Sequence, residues 1–460
     1  MCIRTRSFRW IWIVVMALML VWGFTDVRRR ADVDPQNIGR HQTDFTVYTE
    51  AGAAFFDGRN PYLVTNPRGW YYLYPPLFAL LVAPLHGLPP SWQGITWFLL
   101  NLLMIAGCIF ECRKIAQRLQ GPSGVEHQAD CRTFPAWVVG PAAVAVLFPL
   151  LDTLQRGQVG IAVLLPLLLG FRIISEGQGT LPWFLGGSLL ALPVAMKITP
   201  ALPISILLLQ QFAAMVRAER SAISVRRFWH CLSGFTLGLV WFFLLMPTML
   251  IGWNDNLRHL ETWYREVVAN ERLGESKNFT PESIRNQSLS NALDLLEKRV
   301  ANSSTGATPA APPIHPPTDK SITRTILMLS RALLVIVLIT VAVRWHWDSG
   351  GTGRTAVFGL ACAVSLPLSP ISWGHHFVML LPGMLFLPWA LSDANRSAAT
   401  WLAIVPAALS FGHYTTLELA SGIVGRLGLF GIGIAIWCII AGLNLLRLKP
   451  AQAPGAFLTP

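Results

Sequence analysis

Long apolar runs, spaced along the whole chain and nearly free of charge, limit what this sequence can fold into. A helix in lipid must satisfy its own backbone hydrogen bonds, and crossing the hydrocarbon takes about 20 apolar residues. Runs near that length occur at 8–24, 91–110, 134–151, 158–174, 180–197, 200–216, 229–251, 321–343, 355–370, 375–392, 397–413 and 425–446. Composition agrees: 53% of the 460 residues are hydrophobic and only 13% are charged, where a soluble domain carries about 25% charged.

These runs predict an all-α polytopic membrane protein with about 12 transmembrane helices, 1–446 forming one membrane domain. Several runs are short or broken by Pro166, Pro193, Pro203, Pro367 or Pro382, breaks that are tolerated where they line a cavity. The stretch Tyr74–Leu88 is apolar but too short to cross easily, and it reads as re-entrant or interfacial. Arg4, Arg6 and Arg9 precede the first run, which lacks a small-residue cleavage site and therefore reads as an uncleaved anchor.

The net charge of +12 would suggest nucleic acid on a soluble protein. Here the Lys/Arg bias of cytoplasmic loops is the simpler cause. With the N-terminus in the cytoplasm, Arg113, Lys114, Arg118, Arg132, Arg172, Arg217, Arg220, Arg226, Arg227, Arg344, Arg354 and Arg396 fall inside, as does the tail 447–460. The opposite face then holds a first loop, 25–90, a large loop, 252–320, and short turns with Arg156, Lys197 and Arg426. Residues 301–318, rich in Ala, Ser, Thr and Pro, are expected to be disordered or PPII-like. Arg28, Arg29 and Arg30 break the charge rule. They either snorkel to outer headgroups or do something specific. The seven cysteines contain no C-x-x-C pair, so neither a zinc site nor a disulfide framework is read.

No P-loop, G-x-G-x-x-G, H-E-x-x-H or G-x-S-x-G motif occurs. The chemistry must lie in polar clusters at the outer ends of the spans. Asp44, before an amphipathic helix expected near 47–58, reads either as a general base or as an ordinary N-cap. The aromatics Tyr48, Tyr62 and Trp70-Tyr71-Tyr72-Leu73-Tyr74 suit stacking on a sugar or an isoprenoid, or form an interfacial belt. Arg156 and Gln158 offer a phosphate cation and a hydroxyl-binding amide, or a polar turn. Lys197 stands where the charge bias disfavours it and suits phosphate. Asn286 and Gln287 form a cap or a hydroxyl-binding patch. Trp373, His375 and His376 can hold phosphate, carry protons or bind metal. A zinc site would need more ligands, since Asp44 is the only strong carboxylate candidate on that face. Together the clusters suit a reaction between a lipid-linked phosphate and a polyhydroxyl acceptor.

The chain resembles the GT-C superfamily, within it the polyprenyl-phosphate-mannose-dependent mannosyltransferases of glycosyltransferase family 87. The residues that carry the resemblance are Asp44-Phe45-x-Val47-Tyr48, Gly58-Arg59-Asn60-Pro61-Tyr62, Tyr74-Pro75-Pro76, Gly157-Gln158, Lys197-Ile198-Thr199-Pro200, Asn286-Gln287-Ser288 and Ser369-Pro370-x-Ser372-Trp373-x-His375-His376, in that order. Gly160 stands where the pattern would have Asn, and 301–318 resembles an insertion.

The resemblance implies an inverting hexosyltransferase of GT-C fold, using a polyprenyl-phosphate sugar, mannose, and a lipid-linked or polysaccharide acceptor. Asp44 would match the catalytic base. His375, His376, Lys197 and Arg156 would hold the donor phosphate, with His375 the better match among the histidines. Gln158, Asn286, Gln287, Tyr48, Tyr62, Tyr74 and Trp373 would contact sugar or acceptor, or frame the cleft. Because Phe45 follows Asp44, no acidic pair is present to hold a metal, and a metal-free mechanism without cofactor is expected. The protein would be multi-pass in a bacterial plasma (inner) membrane, its site on the non-cytoplasmic face. The rival readings are a transporter or flippase of a lipid-linked sugar, which would carry ionisable groups mid-span, and a surface-polysaccharide ligase or polymerase.

Overall fold

The computed structural model describes residue 17 and residues 20–119, 134–217, 221–269, 286–295, 321–418 and 428–449. Most of the first apolar run, 8–24, and the low-complexity stretch 301–318 lie outside the described residues. No strand forms among the described residues; two isolated β-bridges join Thr65 to Tyr71 and Asn286 to Trp373. Helix α1 covers residues 20–31. It is followed by α2 (Phe45–Phe56), α3 (Pro76–Val82), α4 (Pro90–Leu119), α5 (Ala136–Arg156), α6 (Gly160–Glu176), α7 (Thr180–Met196), α8 (Ala201–Arg217) and α9 (Ala222–Leu239). Then come α10 (Met246–Ile251), α11 (Trp253–Trp263), α12 (residues 289–295), α13 (Ser321–Arg344), α14 (Gly351–Leu368), α15 (Leu380–Leu391), α16 (Arg396–Glu418) and α17 (Leu429–Arg447).

Among the described residues, each apolar run from 91–110 onward lies mainly in helix. Among the described residues, 6 helices are long and apolar enough to cross a membrane: Pro90–Arg118, Ala136–Arg156, Ala222–Ile251, Thr323–Arg344, Gly374–Leu391 and Leu429–Arg447. The other runs make shorter or less apolar helices, of which Thr180–Met196 and Ala201–Arg217 are 17 residues each. Packing accounts for some of the difference. Helix α14 is buried along nearly its whole length, so other helices surround it instead of lipid. Its Phe358 ring stacks on Phe171 of α6 at 4.2 Å.

The helices deliver two chemically different ends. At one end α5 and α7 finish, α6 and α8 begin, and the α14–α15 connection turns. The other end holds ion pairs and carbonyl contacts: Arg227 to Asp348 at 2.7 Å, Arg172 to Glu111 at 2.5 Å, and Arg344 to the Leu448 carbonyl at 2.8 Å.

Two expectations change in the first loop. The amphipathic helix is α2, but nine of its twelve residues are buried. It is an interior helix, fastened to α4 by a 2.6 Å hydrogen bond from Thr49 Oγ1 to Gln93 Oε1. The Tyr74–Leu88 stretch folds as α3 plus a 3₁₀ turn, Ala83–Gly87, packed directly on α2.

Helix α9 passes through a π-helical segment, Val240–Leu245, before α10. That loosened turn offsets backbone carbonyls from their usual donors. Buried Asn256 of α11 supplies donors instead, its Nδ2 reaching the Phe243 carbonyl at 3.0 Å and the Leu244 carbonyl at 3.2 Å. The contact folds α11 back toward the bundle end where the α5–α6 turn lies.

Helices α7 and α9 meet backbone to backbone. A Cβ on Gly238 would stand 2.7 Å from the Ser188 carbonyl oxygen, while Cβ atoms on Gly187 and Gly234 would strike the carbonyls of Cys231 and Phe184. In lipid, small residues at four-residue spacing let helices approach this closely. Replacing Gly234 with Val should push the helices apart and lower stability by about 1–3 kcal/mol. Thermal unfolding in detergent checks this. Leu237→Val, at an outward position of the same helix, should leave the melting temperature nearly unchanged, and equal effects of the two substitutions would contradict the packing account.

Candidate active site

The α5–α6 turn organises the polar end. Helix α5 stops because Gly157 takes φ +67°, the left-handed conformation that glycine adopts at low cost. The same glycine lets another segment come close: a Cβ there would lie 2.7 Å from Phe45 Cβ and 3.1 Å from Thr43 Oγ1. The Arg156 carbonyl accepts the Asp44 backbone N–H at 2.7 Å and the Thr43 hydroxyl at 3.1 Å. Phe45 stacks on Trp97 of α4 with centroids 4.9 Å apart.

Asp44 sits at the N-cap of α2, yet its side chain makes no capping hydrogen bond. The carboxylate turns to the α5–α6 turn instead. Oδ2 accepts from Gln158 Nε2 and lies 4.0 Å from Arg156 Nη1. Oδ1 is buried and has no partner among the described residues. Burial raises the carboxyl to about 7, with Arg156 and the Gln158 amide pulling the other way. A buried, strained-to-ionise carboxylate is suited to take a proton near neutral pH.

A chain of polar contacts runs from this carboxylate in two directions. In one, Gln158 Oε1 accepts from Tyr48 Oη at 3.0 Å and from Tyr74 Oη at 3.5 Å. Lys197, the residue after α7, donates to Tyr74 Oη at 3.4 Å and to His376 Nε2 at 2.8 Å. An ammonium group only donates, so Nε2 of His376 must hold the lone pair in this contact. In the other direction Arg156 Nε donates to Asp152 Oδ1 at 2.9 Å, and Asp152 Oδ2 faces His375 Nδ1 at 3.4 Å. The His375 and His376 rings are perpendicular, 4.5 Å apart.

These groups line one cavity of about 1090 Å³. Asp44, Tyr48, Tyr74, Arg156, Gln158, Lys197, Trp373, His375 and His376 all reach it. Tyr62, Asn286 and Gln287 do not line it. Tyr62 is packed behind the wall and donates to the Tyr74 carbonyl at 3.3 Å. Asn286 Oδ1 accepts the Ser372 N–H at 3.0 Å, and the Gln287 N–H meets the Ser372 carbonyl at 2.8 Å. The Asn286 side chain and the Gln287 backbone therefore hold the 369–376 turn that carries the histidines, and Gln287 Oε1 accepts the Gly431 N–H. Within the aromatic run, Trp70, Tyr71, Leu73 and Tyr74 are half-buried and Tyr72 is interior. Tyr72 is fully buried and donates to the Pro75 carbonyl at 2.5 Å, while Tyr74 packs beside Tyr48 at 5.6 Å.

Asp152 corrects the expectation that Asp44 is the only carboxylate here. The i, i+4 spacing of Asp152 and Arg156 at a span end was the signal for it. Arg30, which the charge rule had set apart, also lines the cavity, as do Gln42, Arg68, His413 and Tyr414, which had no distinguishing sequence pattern. Gly160 has a local reason: a Cβ there would already stand 3.0 Å from Val378 Cγ2 and 3.5 Å from the His375 carbonyl, so a larger residue would press on the histidine turn. Among the described residues no group of three or more His, Cys, Asp or Glu is placed to hold a metal ion.

Residues 72–370 match Glycosyltransferase family 87. A polyprenol-phosphate-mannose-dependent alpha-(1-2)-phosphatidylinositol mannoside mannosyltransferase of Mycolicibacterium smegmatis is 26% identical over 402 residues, 82% of this chain and 76% of that protein. Its phosphatidylinositol pentamannoside counterpart from the same organism is 26% identical over 358 residues, 76% of this chain and 70% of that protein. A phosphatidylinositol mannoside mannosyltransferase of Mycobacterium tuberculosis, also polyprenol-phosphate-mannose-dependent, is 25% identical over 454 residues, 91% of this chain and 89% of that protein. No solved structure matches the chain significantly.

The turn geometry makes a test. Gly58 also has positive φ, +69°, but nothing lies within 4 Å of a Cβ there. Gly58→Ala should cost only the left-handed strain, about 1–2 kcal/mol. Gly157→Ala adds the collision with Phe45 and should lower the melting temperature clearly further. Equal losses would show that the close approach carries no weight.

Proposed function

Because the chain belongs to glycosyltransferase family 87, we propose that it moves mannose from a polyprenyl-phosphate donor to a hydroxyl of a lipid-linked acceptor, inverting the anomeric centre. The observation that carries this reading is the sharing of one cavity by a buried carboxylate with an unpartnered oxygen, Asp44 Oδ1, and a Lys197–His376 pair. The acceptor oxygen attacks the anomeric carbon as the bond from that carbon to the phosphate oxygen breaks. Asp44 takes the hydroxyl proton, and polyprenyl phosphate leaves. Lys197 and His376 face the developing charge on the leaving phosphate, and His375 joins them, steadied by Asp152. Arg156 lies between the two events, touching Asp44 and Asp152. In this reading Lys197 and Arg156 supply the positive charge, the neutral histidines offer ring nitrogens, and the proposed mechanism uses no metal.

The lipid class of acceptor is suggested by the mycobacterial relatives, whose names specify phosphatidylinositol mannosides. The non-cytoplasmic face is favoured by charge: the basic residues of the short loops gather at the bundle end away from the cavity, as the positive-inside rule requires of a cytoplasmic side. A bacterial plasma membrane, with both termini cytoplasmic and about 12 spans, is the arrangement that fits this orientation. A flippase is disfavoured because most ionisable groups lie at helix ends, although Arg331 falls inside the span Thr323–Arg344.

The carboxyl of Asp44 sets the pH dependence. Only its ionised form accepts a proton, so kcat/KM should fall as pH drops below about 7. Arg156 favours the ionised form, so Arg156→Gln should move this acid limb to higher pH. Asp44→Asn should lower the rate by about two to four orders of magnitude while the protein still folds. Transfer of radiolabelled mannose from polyprenyl phosphate by the purified protein measures all three. An Asp44→Asn variant with full activity would sink the mechanism. In the same assay a chelator should leave the rate unaltered, and loss of activity restored by a divalent cation would overturn the metal-free reading.

A further inference from the structure

Two carboxylates line the cavity, Asp44 and Asp152, and both meet the same guanidinium group. The contacts are unequal. Arg156 Nε donates to Asp152 Oδ1 at 2.9 Å, whereas Arg156 Nη1 stands 4.0 Å from Asp44 Oδ2. A hydrogen-bonded ion pair thus forms with Asp152 and a looser charge contact with Asp44. The helix explains the inequality. Asp152 and Arg156 are four residues apart on α5, the spacing at which side chains share a face. Asp44 arrives on a different segment and is placed by its backbone, since the Arg156 carbonyl accepts the Asp44 N–H at 2.7 Å. The main chains of Asp44 and Arg156 are therefore fixed to one another. Only the direction of the Arg156 side chain decides which carboxylate the guanidinium serves more closely.

Asp152 is itself held. Its Oδ2 faces His375 Nδ1 at 3.4 Å, and the hydroxyl of the neighbouring Thr153 donates to the His375 carbonyl at 3.2 Å. Two successive residues of α5 are thereby joined to the histidine turn, and Asp152 stays with that turn.

Several charged and titratable groups face Asp44. Arg156 and Asp152 do so from α5, Arg68 from the first loop, Tyr48 from α2 and Tyr74 from the segment before α3. Arg30, Lys197, His375, His376, His413 and Tyr414 line the same cavity from other elements. Burial raises the Asp44 carboxyl to about 7; among the charges, Arg156 draws it down and Asp152 pushes it up.

We propose that Asp152 is a positioning residue that keeps the Arg156 guanidinium from closing on Asp44 and so preserves Asp44 as a proton acceptor. This rests on the reading of Asp44 as the base. A guanidinium fork in full contact with a carboxylate holds it ionised and makes it a poor base. Drawn toward Asp152, Arg156 favours the Asp44 anion without sealing it. One carboxylate sets the distance between the proton acceptor and its nearest cation.

Asp152→Asn removes the competing charge at nearly constant size and releases Arg156 to Asp44. The acid limb of kcat/KM for mannose transfer should then move to lower pH by about one pH unit. The rate on the high-pH plateau should fall severalfold, because the base is weaker. Asp152→Ser carries the same expectation should the asparagine variant not accumulate. Asp152→Glu retains the charge and should keep the limb near its wild-type position. The effect should run through Arg156, so adding Asp152→Asn to Arg156→Gln should move the limb much less than adding it to the wild type. A lower rate with an unmoved limb would mean that Asp152 only supports the fold, and it overturns the proposal. So does an equal shift with and without Arg156, which would mean that Asp152 acts directly through its field. Infrared titration of the full-length protein in neutral detergent, with no donor present, reads the same carboxyl apart from catalysis. The band of the protonated Asp44 carboxyl, identified by its loss in Asp44→Asn, should titrate at lower pH in Asp152→Asn than in the wild type; coincident titrations overturn the proposal. If the wild-type protein transfers no mannose, the enzymatic reading fails while this titration still decides whether Asp152 governs the Asp44 proton.

Discussion

The close approach of two short segments at Gly157 is the constraint on which the polar end of the molecule depends. Residues 43–45 and 156–158 are far apart in sequence, and each is unremarkable in isolation. Brought together, the Arg156 carbonyl takes two hydrogen bonds from Thr43 and Asp44, and Gln158 reaches the Asp44 carboxylate. The glycine makes this possible twice over, through its left-handed backbone and its missing Cβ. An interior position for Asp44 follows from the contact, because Phe45 must then lie against Trp97. Burial of the carboxylate is a consequence of that packing, and its raised pKa is a consequence of burial.

From that junction the electrostatics spread outward as a sequence of paired groups. A buried charge without partners is costly. Here Asp44 meets Arg156, Arg156 meets Asp152, and Asp152 faces His375. On the other arm the uncharged Gln158, Tyr48 and Tyr74 lead to Lys197 and His376. On that arm neutral hydroxyls and an amide stand between Asp44 and Lys197. A cation in direct contact with both oxygens of Asp44 would hold the carboxylate ionised and weaken it as a base. Only Oδ2 meets partners, and Oδ1 is buried without one among the described residues.

Much of this was legible in the chain and part of it was not. The helices from 91–110 onward follow from apolar length alone, since lipid leaves the backbone no other way to bond. The polar residues at their ends could be gathered to one face by counting Lys and Arg. Sequence could not say whether Asp44 caps a helix or serves a site, because both readings need the same residue before an apolar run. Only the direction of its side chain separates them. Asn286 and Gln287 read either as a cap or as a hydroxyl-binding patch; in the fold the Asn286 side chain and the Gln287 backbone N–H bond the Ser372 backbone, and Gln287 Oε1 accepts the Gly431 N–H. Asp152 was hidden by its position at the edge of an apolar run, where it looks like a span boundary.

The long-range contacts explain why this site belongs to a membrane fold with so little charge. Lys197 and His376 are 179 residues apart yet 2.8 Å in space, and Asp44 and Gln158 are 114 residues apart. No local motif could hold such groups together. Helix ends can, because the apolar spans fix each end at the same depth of the bilayer. Charge kept out of the spans has no competing partners there. The few ionisable groups left at that end are then positioned by neighbouring helices and not by solvent. Scarcity of charge thus does two jobs. It makes the spans insoluble in water, and it makes each remaining carboxylate, guanidinium and imidazole interact strongly with the others in the cavity they share.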